Sequence, residues 1–249
     1  MAGKMRISAL SIPYVLAVLT LCLLSRLPAE QNTPPSHIQE KSVKETTFIV
    51  FDAETTGLAP LKDHVIELAA IRVHNGQITD RQTWLINPGI PIPASSQRIH
   101  GISTEMVSNA PAFPIVYPQF IAFVKDGILL SHNAKFDRRF MVAELNRHNL
   151  TPPTLTLYDT LRLFKRCFPK RRSYALENLT RDLCPLMIPP ELADGPTSAL
   201  PRDRQFHSAL WDAECTAALF LKALETLPAP MLISEFTQYG GKPLSLNPN

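Results

Sequence analysis

Cysteine is scarce: four residues in 249, too few for a disulfide scaffold. Cys167, Cys184 and Cys215 lack metal-ligand spacing, and Cys215 sits in an apolar helical stretch that reads as core. Charge is sparse as well. Only 19% of residues are charged, which excludes a long solvated helix or coiled coil. Hydrophobic residues, at 45%, are plentiful enough to exclude wholesale disorder. A large net charge is also missing. Lys and Arg total 25 against 22 Asp and Glu, a sum of +3. Lys4, Arg6 and Arg26 are the only charged side chains ahead of Glu30, so from there on the signs balance at 22 each. The basic excess belongs to the first segment and says nothing about a partner of the folded part.

That first segment, residues 1–29, holds an uncharged apolar run from Ile7 to Ser25 behind two basic residues. Three meanings stay open: a membrane anchor, an export signal, or a start codon placed too early. No methionine lies between Met5 and Met106, so a shorter product needs another initiator, such as one at Leu27 or Val43. Removing Cys22 with the leader leaves three cysteines, an odd number that disfavours an oxidising destination. Residues 30–45 read as a linker, with Pro34, Pro35 and little apolar content. A globular domain is expected over residues 46–227 and a short tail over 228–249.

Within the domain, Thr47 to Phe51 reads as a buried strand ending in Asp52. Val65 to Val73 is a second strand, and Asn75-Gly76 turns it into a third at Asp80 to Ile86. Helical patterns cover Phe113 to Val124 (with Pro118 against it), Lys135 to Asn146, Thr160 to Cys167, Tyr174 to Leu183 and Trp211 to Leu224. Ile128 to Ser131 and Leu155 to Asp159 are further strands. Strands first, then strand–helix alternation, predict an α/β sheet with helices on its faces. Residues 184–206 carry five prolines and read as a long loop, expected to act as a lid or substrate guide.

Three segments carry chemistry. Asp52 and Glu54 lie two apart on a strand, so they face the same way. Adjacent carboxylates repel unless a cation sits between them, and hard oxygen ligands suit Mg²⁺ or Mn²⁺. An isolated Asp-x-Glu is usually a solvated strand end, but here Thr55-Thr56-Gly57-Leu58 follows. Gly57 permits a turn and close approach by a ligand, and Leu58 is an exposed apolar residue suited to wedge against a nucleobase. The second segment is Ser131-His132-Asn133-Ala134-Lys135-Phe136-Asp137, running from a strand end into a helix. Asp137 has an alternative role there, as an acid favoured at any helix N-terminus. In the third segment His207 precedes the final helix and Asp212 lies near its first turn. Imidazole titrates near neutral pH, which suits a general base.

Asp52-Ala53-Glu54-Thr55-Thr56-Gly57, His132-Asn133-Ala134-Lys135-Phe136-Asp137 and His207-x4-Asp212 together resemble the three motifs of the DnaQ-like DEDDh 3′–5′ exonuclease family, which includes the proofreading epsilon subunit of bacterial DNA polymerase III. The resemblance extends to Ile99-His100-Gly101-Ile102, Tyr158-Asp159-Thr160 and Tyr174-Ala175-Leu176-Glu177-Asn178-Leu179. It implies a ribonuclease H-like α/β fold, a five-stranded mixed sheet flanked by helices. It implies two divalent cations, Mg²⁺ or Mn²⁺, held by Asp52, Glu54, Asp137 and Asp212, with His207 activating water. Thr56, Gly57, Leu58, His100, Asn133 and Phe136 would line the pocket for the terminal nucleotide. The reaction implied is release of nucleoside 5′-monophosphates from single-stranded or frayed 3′ ends of DNA, in proofreading or trimming. RNA trimming uses the same five residues and stays open, as does a non-catalytic nucleic-acid-binding or membrane-tethered protein. DNA polymerase III subunits are implied partners, although 228–249 holds no clear polymerase-binding segment. The activity implies a cytoplasmic place, and the leader an inner-membrane or exported one. Arg162, Lys165, Arg166, Lys170, Arg171 and Arg172 form a basic cluster for phosphate contact or a plain solvated surface.

Overall fold

The computed structural model describes residues 41–188 and 207–247. The predicted leader, most of the linker and residues 189–206 of the predicted loop lie outside the described residues. Among the described residues, no helix is long and apolar enough to cross a membrane.

Three strands come first: β1 (Phe48–Thr55), β2 (Val65–His74) and β3 (Gln77–Leu85). Helices α1 (Ala94–His100), α2 (Thr104–Val107) and α3 (Phe113–Val124) follow. Then come β4 (Ile128–Ser131), α4 (Lys135–Arg147), β5 (Thr156–Asp159), α5 (Thr160–Cys167) and α6 (Leu176–Leu183). After a 3₁₀ turn at Pro185–Met187, the order continues with α7 (Ala209–Leu224), α8 (Thr237–Gly240) and β6 (Leu244–Ser245). All six strands join one mixed sheet in the order β3-β2-β1-β4-β5-β6. β1 pairs antiparallel with β2 and parallel with β4, which places it in the sheet interior.

The pleat of β1 divides the core. Phe48 and Val50 face one layer with Ala69, Ile71 and Val73 of β2, covered by α5, α6 and α7. Ile49, Phe51 and Ala53 face the opposite layer with Leu68 and Ala70, covered by α3 and α4. A strand buried on both faces needs a continuous apolar run, which is what residues 48–51 provide. Alternation then sends Asp52 and Glu54 to the α7 side. β3 is mostly exposed and lies at the sheet edge. The Asn75-Gly76 turn that leads into it has φ of 51° and 71°, the left-handed pair required by a tight hairpin.

Several expectations need correction. The strand expected to end at Asp52 runs on to Thr55, and Asp52 and Glu54 both lie on it, as their shared face requires. Pairing with β2 continues through Glu54 to Thr55, with a bulge only at the last step. Helix α1 had no sequence signal, because Ala94-Ser95-Ser96-Gln97 has no apolar stripe. Its limits are set by Pro93 at the start and by Gly101 at φ 73°, whose N–H bonds to Gln97 O. Pro118 does not break α3, since the bond it cannot donate would have reached Pro114, in the first turn. The sheet gains a sixth strand from the stretch read as a tail. Phe236 of that stretch is fully buried, with its ring 5.5 Å from Phe48 and 5.1 Å from Tyr158. Val43 N–H donates to Met231 O at 2.8 Å, tying the end of the predicted linker to the same stretch. Neither segment carried a periodic pattern, because each contributes isolated anchors and not a continuous face.

Candidate active site

β1, the β4–α4 junction and the start of α7 converge at one end of the sheet. Between them lies a cleft of about 820 Å³ lined by Asp52, Glu54, Asp137, His207 and Asp212. Thr56, Gly57, Leu58, His100, Asn133 and Phe136 line the same cleft. Every residue singled out from the sequence as catalytic or substrate-binding is therefore brought together. The six residues of the basic cluster are not among its lining residues. Two of them have partners elsewhere: Lys165 lies over the Tyr174 ring and Arg171 faces Asp182 at 3.9 Å.

Asp137 sits in the first turn of α4 and is 2% exposed. Ser131 Oγ, at the end of β4, donates to its Oδ2 at 2.5 Å. Asp212 occupies the first turn of α7, and His207 N–H donates to its Oδ2 at 3.1 Å. That bond closes a tight junction in which His207 takes φ 65° and leaves its ring exposed at the cleft. Oδ1 of Asp137 and Oδ1 of Asp212 are buried and make no hydrogen bond to the described protein. One ligand atom from each of Glu54, His207 and Asp212 lies within 4.8 Å of the other two.

Burial and mutual repulsion hold these carboxyls far from their ordinary range. Asp52 is raised well above it, first by burial and then by Asp137, Asp212, Glu54 and Glu67. Asp137 is pushed up to about 7 by burial, against the pull of the Ser131 hydroxyl. Burial likewise pushes Asp212 up to about 7, against the His207 N–H. Such a site is short of positive charge, and divalent ions bound by carboxylates would supply it.

The rest of the cleft is preorganised by backbone contacts. Ser96 Oγ donates to Thr56 O at 2.7 Å, fixing α1 against the strand end. Ile102 N–H donates to His100 Nδ1 at 3.0 Å, which leaves Nε2 as the protonated nitrogen of a neutral ring. Asn133 adopts φ 62°, and its N–H donates to Asp159 Oδ1 at 3.1 Å. Leu58 is 80% exposed. Gly57 also has a neighbour of its own. A Cβ there would lie 2.5 Å from Asp63 Oδ2, so Asp63 makes one close approach to it. Asp63 in turn accepts from Ala59 N–H at 2.8 Å and holds the loop.

A model of the exonuclease family described as RNase T matches residues 49–220. That span contains all three acid-bearing segments on the cleft. The chain belongs to the RNase T/DnaQ-like exonuclease family. That family is one of metal-dependent, DEDD-type 3′–5′ exonucleases. It is 33% identical over 183 residues to the PolC-type DNA polymerase III of Caldanaerobacter subterraneus, covering 74% of this chain and 12% of that one. It is 36% identical over 199 residues to a DNA polymerase III subunit epsilon-like protein of Rhodobacter capsulatus, covering 78% of this chain and 26% of that one. The chain thus spans a small part of the length of the curated relatives it matches. Among solved structures, exonuclease X in complex with 5′ overhanging duplex DNA aligns with TM-score 0.56 and 26% identity, covering 75% of this chain and 98% of that one. The nuclease domain of 3′hExo, a DEDDh family member bound to rAMP, shares the fold at TM-score 0.61 and 17% identity, covering 77% and 97%.

One buried acid beside this cleft was not singled out from the sequence. Glu67 of β2 is buried, and its Oε2 accepts from Ala209 N–H, at the start of α7, at 3.1 Å. The available signal was an acid inside the otherwise apolar run Val65 to Ile71.

Proposed function

We propose that this exonuclease removes nucleotides from the 3′ ends of DNA, releasing nucleoside 5′-monophosphates, with two divalent cations held by Asp52, Glu54, Asp137 and Asp212. The observation that carries the reading is four carboxylates and an exposed imidazole converging on one cleft, with an unpaired buried oxygen on Asp137 and another on Asp212. A buried carboxylate oxygen without a donor is costly unless a cation takes the donor's place, so the donor set fits hard divalent ions such as Mg²⁺ or Mn²⁺. Asp52, Glu54, Asp137 and Asp212 would hold such ions, which would offset the carboxylate charge and supply charge stabilisation to an in-line displacement.

The side chains divide the remaining work. His207 takes a proton from the attacking water as the water oxygen bonds to phosphorus. The P–O3′ bond breaks, and the freed 3′ oxygen, once protonated, stays on the shortened strand. Leu58 and Phe136 form the apolar walls for the terminal base. His100 and Asn133 offer polar contacts beside it.

A DNA substrate is supported by the relatives named as DNA polymerase III proteins and by exonuclease X, which was solved with duplex DNA. RNA is the second reading, supported by the structural likeness to 3′hExo with rAMP. Incubating the protein and Mg²⁺ with matched 5′-labelled DNA and RNA strands in competition tests both. Faster stepwise shortening of DNA, lost in Asp52→Ala, is expected. Preference for RNA would replace the first reading with the second. No mononucleotide release from either strand would overturn both.

A further inference from the structure

The start of α7 carries two of the five groups proposed for catalysis, His207 and Asp212, and it lacks a local cap. Ser208 occupies the N-cap position and makes no side-chain capping bond. A helix N-terminus leaves its first amides without intrahelical partners. The Ala209 amide is satisfied instead by a side chain 142 residues earlier, the Glu67 carboxylate on β2, at 3.1 Å.

Glu67 is also the direct cross-strand partner of Glu54. It shares the face of Ala69 and Ile71, the face onto which α7 packs. Like charges directly opposite one another on adjacent strands are unfavourable, and burying a carboxylate adds desolvation. The fold nevertheless keeps this acid 97% inaccessible, beside Asp52, Glu54 and Asp212. What it gains there is a charge-assisted bond to a helix N-terminus, where a negative charge is favoured.

We propose that Glu67 is a positioning residue for the exonuclease reaction: it clamps the first turn of α7 to the sheet and so sets His207 and Asp212 opposite Asp52 and Glu54. The clamp rests on the reading of the cleft as a hydrolytic site. Its register is specific. The bonded amide lies two residues after His207 and three before Asp212, so a shift at Ala209 moves both. Displacement of catalytic groups by about 1 Å can cost on the order of 100-fold in rate.

The test compares Glu67→Gln, Glu67→Ala and Leu219→Ala in the full chain. Gln keeps an oxygen acceptor for the Ala209 amide, Ala does not, and Leu219 is a buried α7 residue outside the cleft. Glu67→Ala is expected to lower kcat on a DNA strand roughly 10- to 100-fold with little change in KM. It is also expected to speed amide hydrogen exchange over residues 207–213. Glu67→Gln restores most of kcat and of the exchange protection. Leu219→Ala lowers Tm at least as far and leaves kcat near wild type. Wild-type kcat and exchange in Glu67→Ala would overturn the clamp. So would equal damage in Glu67→Gln, or a kcat loss in Leu219→Ala that follows Tm. If the wild type releases no mononucleotide, the hydrolytic reading fails, and the exchange measurement still decides the clamp.

Discussion

Replacing Asp212 by Asn should stabilise the metal-free protein while abolishing catalysis. The Asp212 carboxyl is pushed from an ordinary value of 3.8 up to about 7, chiefly by burial, with Glu177, Asp137 and Glu67 adding repulsion. Ionising it inside the fold at pH 8 therefore costs roughly 4 kcal/mol relative to the unfolded chain. The sign follows from proton counts. Between about pH 4 and 7 the folded state holds a proton that the unfolded state has lost. Stability thus falls as pH rises through that window and stays low above it. Asn carries no charge at any pH, and its Oδ1 still accepts the His207 N–H. For a domain of this size about 1 kcal/mol moves Tm by roughly 2–4 °C. With the metal chelated at pH 8, Asp212→Asn should therefore melt up to about 8–16 °C above wild type. At pH 5 the gap should shrink, because the wild-type carboxyl is then protonated. Calorimetric melts in EDTA at both pH values read this directly. A variant that melts at or below wild type at pH 8, or a gap independent of pH, would refute the electrostatic account.

Other perturbations separate the cleft from its scaffold. Arg147 donates to Pro60 O at 3.0 Å and to Asp63 O at 3.2 Å, holding the loop behind Gly57 and Leu58. Arg147→Met should raise KM several-fold with kcat nearly unchanged, and an unchanged KM would count against that role. Leu58→Ser removes an 80% exposed apolar side chain, so KM should rise by roughly five- to tenfold, about the worth of a partly buried leucine, without a change in Tm. A fall in Tm would mean that Leu58 serves the fold. Phe236→Ala empties a fully buried ring site and should cost roughly 3–5 kcal/mol in urea unfolding. A cost below about 1 kcal/mol would mean that residues beyond 228 are not part of the cooperative unit.

The site was more legible than its supports. Asp52 and Glu54 could be assigned to one face because strand alternation is a strict geometric rule, and they do lie together on the cleft. Asp137, His207 and Asp212 were legible through motif spacing, and each lies where a strand or loop meets a helix start. The supports are long-range and leave no local pattern. The cap of α7 comes from β2, and the core ring at Phe236 comes from a segment with no apolar periodicity. α1 escaped notice because it is a single short segment between Pro93 and Gly101 that carries no apolar stripe. Gly57 was legible as a glycine that matters, but one of its neighbours was not. The atom it accommodates belongs to Asp63, six residues on, brought back by a turn.

The most direct measurement is a crystal of the protein soaked with Mn²⁺ and a nucleoside 5′-monophosphate, examined by anomalous scattering. The account predicts two peaks in the cleft, with protein ligands drawn from Asp52, Glu54, Asp137 and Asp212. No peak in the cleft, or ions bound away from these four carboxylates, would contradict it.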